Sequence, residues 1–178
     1  MAADGETPPD STGAIGPNNY VEFDDSSITV YDRSLNFVST TTLAALASQV
    51  PTVPLCDPQV QWDPTANRWL FAYLYCNTSS SVQWLFLGWS ATSDPDNLTA
   101  CPASTPGCTG WCVFALSNDP YLFDFPKLGH NSNFMLIGGN LYDETNPSPA
   151  PPFTSARVVW AHLPSNGDTY CTVPSSGG

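Results

Sequence analysis

Apolar and polar residues alternate in short runs along most of this chain, and clusters of Asn, Asp, Pro, Gly and Ser separate the runs. A period of two puts alternate side chains on opposite faces of an extended strand. Tyr20-Val21-Glu22-Phe23 and Ser27-Ile28-Thr29-Val30-Tyr31 read as paired strands, and Phe37-Val38 opens a short third one. Cys56 to Tyr75 reads as a hairpin. Val60 and Trp62 begin one apolar run, Asp63-Pro64-Thr65-Ala66-Asn67 supplies the turn, and Arg68-Trp69-Leu70-Phe71-Ala72-Tyr73 begins the next. Val82 to Ser90 is almost continuously apolar, which suits a strand buried on both faces. Trp111 to Leu116 reads as a short outer strand. Phe134 to Asn140 begins another set, and Ser155 to Leu163 closes it. Thr41 to Val50 is the one helical pattern: Leu43, Leu46, Ala47 and Val50 share a face, Thr41 or Thr42 can cap it, and Pro51 ends it.

Three segments repeat a pattern. Asp10 precedes Tyr20-Val21, Asp57 precedes Trp69-Leu70, and Asp124 precedes Phe134-Met135, each across a turn containing Asn. One antiparallel sheet per repeat, entered at an Asp, is the pattern of propeller blades. The expected organisation is an extended arm over 1–13, a partial propeller domain over 14–172, and a tail over 173–178. The blade-like units fall at about 14–40, 56–116 and 124–163.

The motifs DPQVQWDPTANRW, SATSDPDNL with WCVFAL, and DFPKLGHNSNFMLIGGN resemble those of secreted β-propeller proteins carrying D-P-x-V-x-Y-D-x-x-x-x-R-W and D-Y-P-K-x-G. GAIGPNNYVEF followed by SITVYDRS resembles their first blade. The likeness covers roughly residues 10 to 163 and implies an all-β fold of about three antiparallel blades. It implies no particular activity. A fainter likeness to sialidase-type propellers lacks the Gly and spacing of their Asp-box. Three blades do not close a ring, so the expectation is a piece of a larger propeller, or a half-ring that docks on a second copy through open blade faces.

Composition narrows the partners. The 178 residues carry 4 Lys and Arg against 16 Asp and Glu, a net charge of −12. Such a surface repels nucleic acid and anionic membranes, and no run of about 18 apolar residues offers a membrane helix. Few charges among many Ser, Thr, Asn and Pro suit an extracellular surface that meets a glycan or a protein. No apolar leader follows Met1, so a secreted form would be mature or trimmed. The six cysteines, Cys56, Cys76, Cys101, Cys108, Cys112 and Cys171, are expected as disulfides, with 15 pairings open. Sequons at Asn77 and Asn97 fall in predicted loops.

Few residues stand out as chemistry. Asp10, Asp57 and Asp124 would converge if the repeats are equivalent, raising one another's pKa unless a cation such as Ca²⁺ compensates. Each Asp could equally cap a turn or accept backbone N–H bonds. Asp124, Lys127 and His130 cluster in sequence, as a candidate ligand site or an ion pair between blades. Trp69 is a candidate aromatic platform for a glycan. For all six tryptophans, Trp62, Trp69, Trp84, Trp89, Trp111 and Trp160, packing between blades is the competing role. No nucleophile, metalloprotease, phosphate-loop or dinucleotide motif occurs. The expected function is therefore a secreted, disulfide-stabilised propeller module for extracellular binding or assembly. The alternative is a glycan-active hydrolase using axial carboxylates.

Overall fold

The computed structural model describes residues 8–47, 54–76, 83–102, 104–117, 120–146, 149–166, 168, 171 and 176–177. It is all-β apart from one short helix. Sheet I holds β1 (Thr12–Ile15), β2 (Asn19–Phe23), β3 (Ser27–Asp32) and β4 (Phe37–Thr42). Helix α1 (Leu43–Ala47) leads onward. Sheet II holds β5 (Leu55–Asp63), β6 (Arg68–Tyr75), β7 (Trp84–Ser90) and β8 (Trp111–Ser117). Sheet III holds β9 (Tyr121–His130), β10 (Phe134–Asp143), β11 (Phe153–His162) and β12 (Ser176–Gly177). Each sheet is four-stranded, with its strands side by side in chain order and antiparallel throughout.

The turns follow the predicted chemistry. Asp24 Oδ1 accepts the backbone N–H groups of Ser26 and Ser27, closing the β2–β3 turn. Asp63 Oδ1 accepts Thr65 N–H at the β5–β6 turn, where Asn67 adopts φ +57°. Asn131 Oδ1 accepts the N–H groups of Asn133 and Phe134 between β9 and β10. An Asx side chain that takes up the turn's free donors fixes the chain reversal locally.

The core explains the stacking. Strand β6 is buried along almost its whole length. Its odd positions Trp69, Phe71 and Tyr73 pack with Val21, Phe23, Ile28 and Val30 of sheet I. Its even positions Leu70, Ala72 and Leu74 pack with Leu128, Met135, Ile137, Val159 and Ala161 of sheet III. Sheet II is therefore the middle layer and buries both faces, as the apolar run in β7 predicts. The first strand of sheet II, β5, touches both other first strands, β1 and β9. Gln61 Nε2 of β5 donates to the Leu128 carbonyl of β9 at 2.7 Å.

Several boundaries differ from the sequence reading. β1 begins inside the stretch expected as an arm, and β9 runs through the expected turn after Asp124. Both are first strands carrying polar residues, which mask the alternation. Among the described residues the helix spans Leu43–Ala47, and it starts after the expected Thr41 because Thr41 and Thr42 complete β4. Thr42 Oγ1 caps it by accepting Ala45 N–H at 3.1 Å, and Leu43, Leu46 and Ala47 are buried between sheets I and II. Val50, Pro51 and the Asn77 sequon lie outside the described residues.

The cysteines pair as Cys56–Cys76, Cys101–Cys108 and Cys112–Cys171. The first ties β5 to the end of β6, and the third ties β8 to the segment after β11. The third spans 59 residues and removes the most freedom from the unfolded chain, about 4 kcal/mol by loop entropy. Three disulfides fit an oxidising, extracellular-type environment, and among the described residues no helix is long and apolar enough to cross a membrane.

Candidate functional site

The three repeat aspartates do draw together. Asp57 sits at a bulge in β5, where the pairing with β6 shifts between Cys56 and Gln59. Asp124 sits at the matching irregularity in β9, where the pairing with β10 shifts between Gly138 and Asn140. Asp10 stands just before β1. Asp10, Asp57 and Phe125, the neighbour of Asp124, adopt φ of +43°, +51° and +56°. Left-handed backbone in a non-glycine residue costs energy and lets the strand turn its N–H aside.

A relay of hydrogen bonds uses those donors. The backbone N–H of Asp57 donates to Asp25 Oδ1 of sheet I at 3.0 Å. The carboxylate of Asp57 in turn accepts the backbone N–H of Phe125 in sheet III. The β2–β3 turn of sheet I is thus linked to β5 of sheet II, and β5 to β9 of sheet III. The Asp57 carboxyl is pushed above its ordinary value, first by burial, then by the charges of Asp124 and Asp10 and a hydrogen bond shared with Asp10; the Phe125 N–H opposes the rise. The arrangement joins the two roles expected for these residues: they converge, and Asp57 accepts a backbone N–H.

Asp10 and Asp57 share a hydrogen bond, but among the described residues the three carboxylates do not all lie within 4.8 Å of one another, as ligands of one cation would. The one triad of potential metal ligands that close is Cys101, Cys112 and Cys171, and every sulfur in it is in a disulfide. Thiolate chemistry is absent there.

The sequence cluster of Asp124, Lys127 and His130 separates. The three lie on one extended strand, so Asp124 and His130 stand about 20 Å apart at 3.3 Å per residue. Lys127 Nζ lies 3.5 Å from the centroid of the exposed Phe125 ring. His130 Nδ1 lies 3.7 Å from Asp63 Oδ2, a carboxylate that is fully buried.

Trp69 is not a sugar platform. It is completely buried, donates through Nε1 to the Ser93 carbonyl and packs edge-on to Trp62. A ring with no exposed face cannot stack on a ligand. Trp89 and Trp111 are buried as well, and Trp160 is the tryptophan with a substantially open ring. Arg68 beside Trp69 is buried and holds backbone: it donates to the carbonyls of Ser90 and Ala91, at 2.9 and 2.5 Å, and of Asp168. Burial depresses its pKa, against the pull of the Asp168 charge.

The sequence reading missed a groove on sheet I. It has a volume of about 650 Å³ and is lined by Ile15, Tyr20, Glu22, Tyr31, Asp32, Arg33 and Leu35. Register explains it: Ile15, Tyr20 and Tyr31 lie side by side across β1, β2 and β3. The Tyr20 and Tyr31 ring centroids are 6.0 Å apart, and the Tyr31 hydroxyl donates to the Glu22 carboxylate. Both tyrosines have raised pKa values, from burial first and Glu22 second. The signal was present in Asn19-Tyr20-Val21-Glu22-Phe23, whose even positions face away from the core that Val21 and Phe23 enter. The Asn97 sequon side chain is exposed, between Thr99 and Thr109.

No protein-family model matches this chain, and neither the curated proteins nor the solved structures searched contain a significant match to it.

Proposed function

We propose that this chain is a secreted, disulfide-stabilised module of three propeller-type blades that acts in extracellular binding or assembly. One observation carries the reading. A middle sheet is buried on both faces, while the sheets on either side each turn a partly apolar face outward, in a framework held by three disulfides. Such a framework supplies rigid contact surface. Support for blades comes from three four-stranded meanders in chain order whose first strands adjoin. The experiment is production through a eukaryotic secretory pathway, with thiol titration, disulfide mapping and binding to a glycan array and to immobilised matrix proteins. The expected result is no free thiol, the three pairings above, an enzymatically removable glycan on Asn97, and saturable binding. An equally stable fold with all six cysteines reduced, and no binding, would sink the proposal.

The raised carboxyl of Asp57 beside Asp10 and Asp124 favours a second reading, hydrolysis of a glycosidic bond by a carboxyl pair. Turnover of fluorogenic glycosides that Asp57→Asn abolishes would establish it; no turnover across the panel removes it.

A further inference from the structure

Two of the three disulfides lie against each other. The sulfurs of Cys101, Cys112 and Cys171 all fall within 4.8 Å of one another, although Cys101 is bonded to Cys108 and the other two are bonded together. Backbone contacts fix this meeting from two sides. Ala100 bridges Trp111 in parallel, and the Cys101 N–H donates to the Trp111 carbonyl at 2.8 Å, so Cys101 runs alongside Cys112 of β8. The Ser104 N–H donates to the Cys171 carbonyl at 3.2 Å. Cys101, Cys112 and Cys171 are buried, whereas Cys108 is partly exposed. Its neighbours Thr105, Pro106, Gly107 and Thr109 are exposed, and nothing stands within 4 Å of where a Cβ on Gly107 would point. The segment from Cys101 to Gly110 holds no charged residue in a chain of net charge −12, so an anionic reagent meets no carboxylate of this loop.

We propose that Cys108 is a modification site for a small thiol, and that its attack starts a disulfide exchange which opens Cys112–Cys171. The incoming thiolate bonds to Cys108 Sγ, the Cys101–Cys108 bond breaks, and Cys101 leaves as a thiolate. Cys101 Sγ then bonds to Cys112 Sγ, the Cys112–Cys171 bond breaks, and Cys171 leaves as the thiolate and takes up the proton that the reagent gave up. The number of S–S bonds is unchanged, and the reagent ends as a mixed disulfide on Cys108. While both bonds are closed the triad holds no thiolate; opening the first supplies one. Position decides the order. Cys101–Cys108 joins residues 7 apart in sequence, against 20 and 59 for the other two, so its opening costs the fold least. Both sulfurs of Cys112–Cys171 are buried, so a thiolate already held against them acts at an effective concentration that a dissolved reagent does not match. The parallel register makes Cys112 the sulfur attacked. The exchange cuts the tie between β8 and the segment after β11. Cys56–Cys76 has no third sulfur against it among the described residues and takes no part.

Millimolar reduced glutathione, trapping with N-ethylmaleimide and peptide mapping by mass spectrometry test this on the full chain. The expected products are glutathione on Cys108, a new Cys101–Cys112 linkage and a trapped thiol on Cys171. In a variant carrying Cys101→Ser and Cys108→Ser, with the circular dichroism of the parent, Cys112–Cys171 should open about tenfold more slowly or less. If that variant does not fold, the products from the parent chain decide alone. Glutathione on Cys108 with Cys112–Cys171 intact overturns the exchange, and so does an opening rate that the variant leaves unchanged. A linkage from Cys101 to Cys171 overturns the assigned direction. Linkages to Cys56 or Cys76 overturn the proposal as well, because they mark scrambling through an unfolded chain.

Discussion

The two junctions within the molecule are built from different materials. Between sheets I and II the contact is aromatic. Phe23 of sheet I stacks on Phe71 at 5.8 Å and lies edge-on to Trp111 at 6.0 Å, and within sheet II Phe71 stacks on Tyr73 and Tyr73 on Phe86, building the ring surface that sheet I meets. Between sheets II and III the contact is mostly aliphatic, through Leu70, Ala72, Leu74, Leu85, Leu87, Met135, Ile137 and Val159, with Trp89 and Phe123 as the buried rings among them. All six cysteines border this second junction. Broad rings bury large areas and constrain one another's angles. Smaller aliphatic side chains give less area per residue, and there covalent ties add to them. One strand serves both junctions through its parity, since Trp69, Phe71 and Tyr73 face one way and Leu70, Ala72 and Leu74 the other.

The comparison breaks most visibly at its aromatic centre. Phe71→Ala removes a fully buried ring and should cost about 3–5 kcal/mol in urea unfolding. A loss below about 1 kcal/mol would show that the rings do not hold the junction. On the other side, Cys112→Ala with Cys171→Ala should cost about 2–4 kcal/mol, with near-ultraviolet dichroism from the aromatic junction retained. Collapse of both signals together would mean that the two junctions are one cooperative unit. Gly88→Ala crowds the middle sheet, because an added methyl would meet the Cys112 carbonyl at 1.9 Å and the Phe71 ring at 2.8 Å. Overpacking against backbone should cost about 1–3 kcal/mol, read from the midpoint in urea.

The smallest effect sharpens the link between sheets at Asp57. Its folded pKa is raised, so the folded state holds this proton more tightly than the unfolded chain. The charged form therefore costs stability at pH values above the folded pKa, and that cost disappears as pH falls toward the unfolded value of 3.8. Asp57→Asn keeps an acceptor for the Phe125 N–H and cannot ionise. It should raise the melting temperature slightly at pH 7 and leave it unchanged near pH 3. A drop at pH 7 that calcium enlarges would reveal a cation held by the carboxylate.

The legible parts of the chain were those where local chemistry and burial agree. The β5–β6 hairpin could be read because Asp63 and Asn67 carry turn chemistry and the flanking runs are apolar. The double burial of β7 was visible because Leu85-Phe86-Leu87 leaves no polar face. The convergence of Asp10, Asp57 and Asp124 followed from their repeated spacing. β1 and β9 were illegible as strands, because β1 is short with Gly13 in it and β9 carries Asp124, Pro126 and Lys127 where alternation would be read. Trp69 misled for a related reason: composition marks a Trp as a contact residue, but only the packing shows whether it meets a ligand or a core. Lys127 and His130 misled because nearness in sequence along an extended strand is distance in space.

The sequence by itself determined the strands with clear alternation, the turns between them and the division into three units. Those depend on contacts a few residues apart, and the code for them is local. Only the tertiary structure decided which cysteines pair, which tryptophans are buried, and that sheet II lies in the middle between sheets I and III. Those depend on residues brought together from far along the chain, and alternation assigns a side chain to a face without saying what covers it.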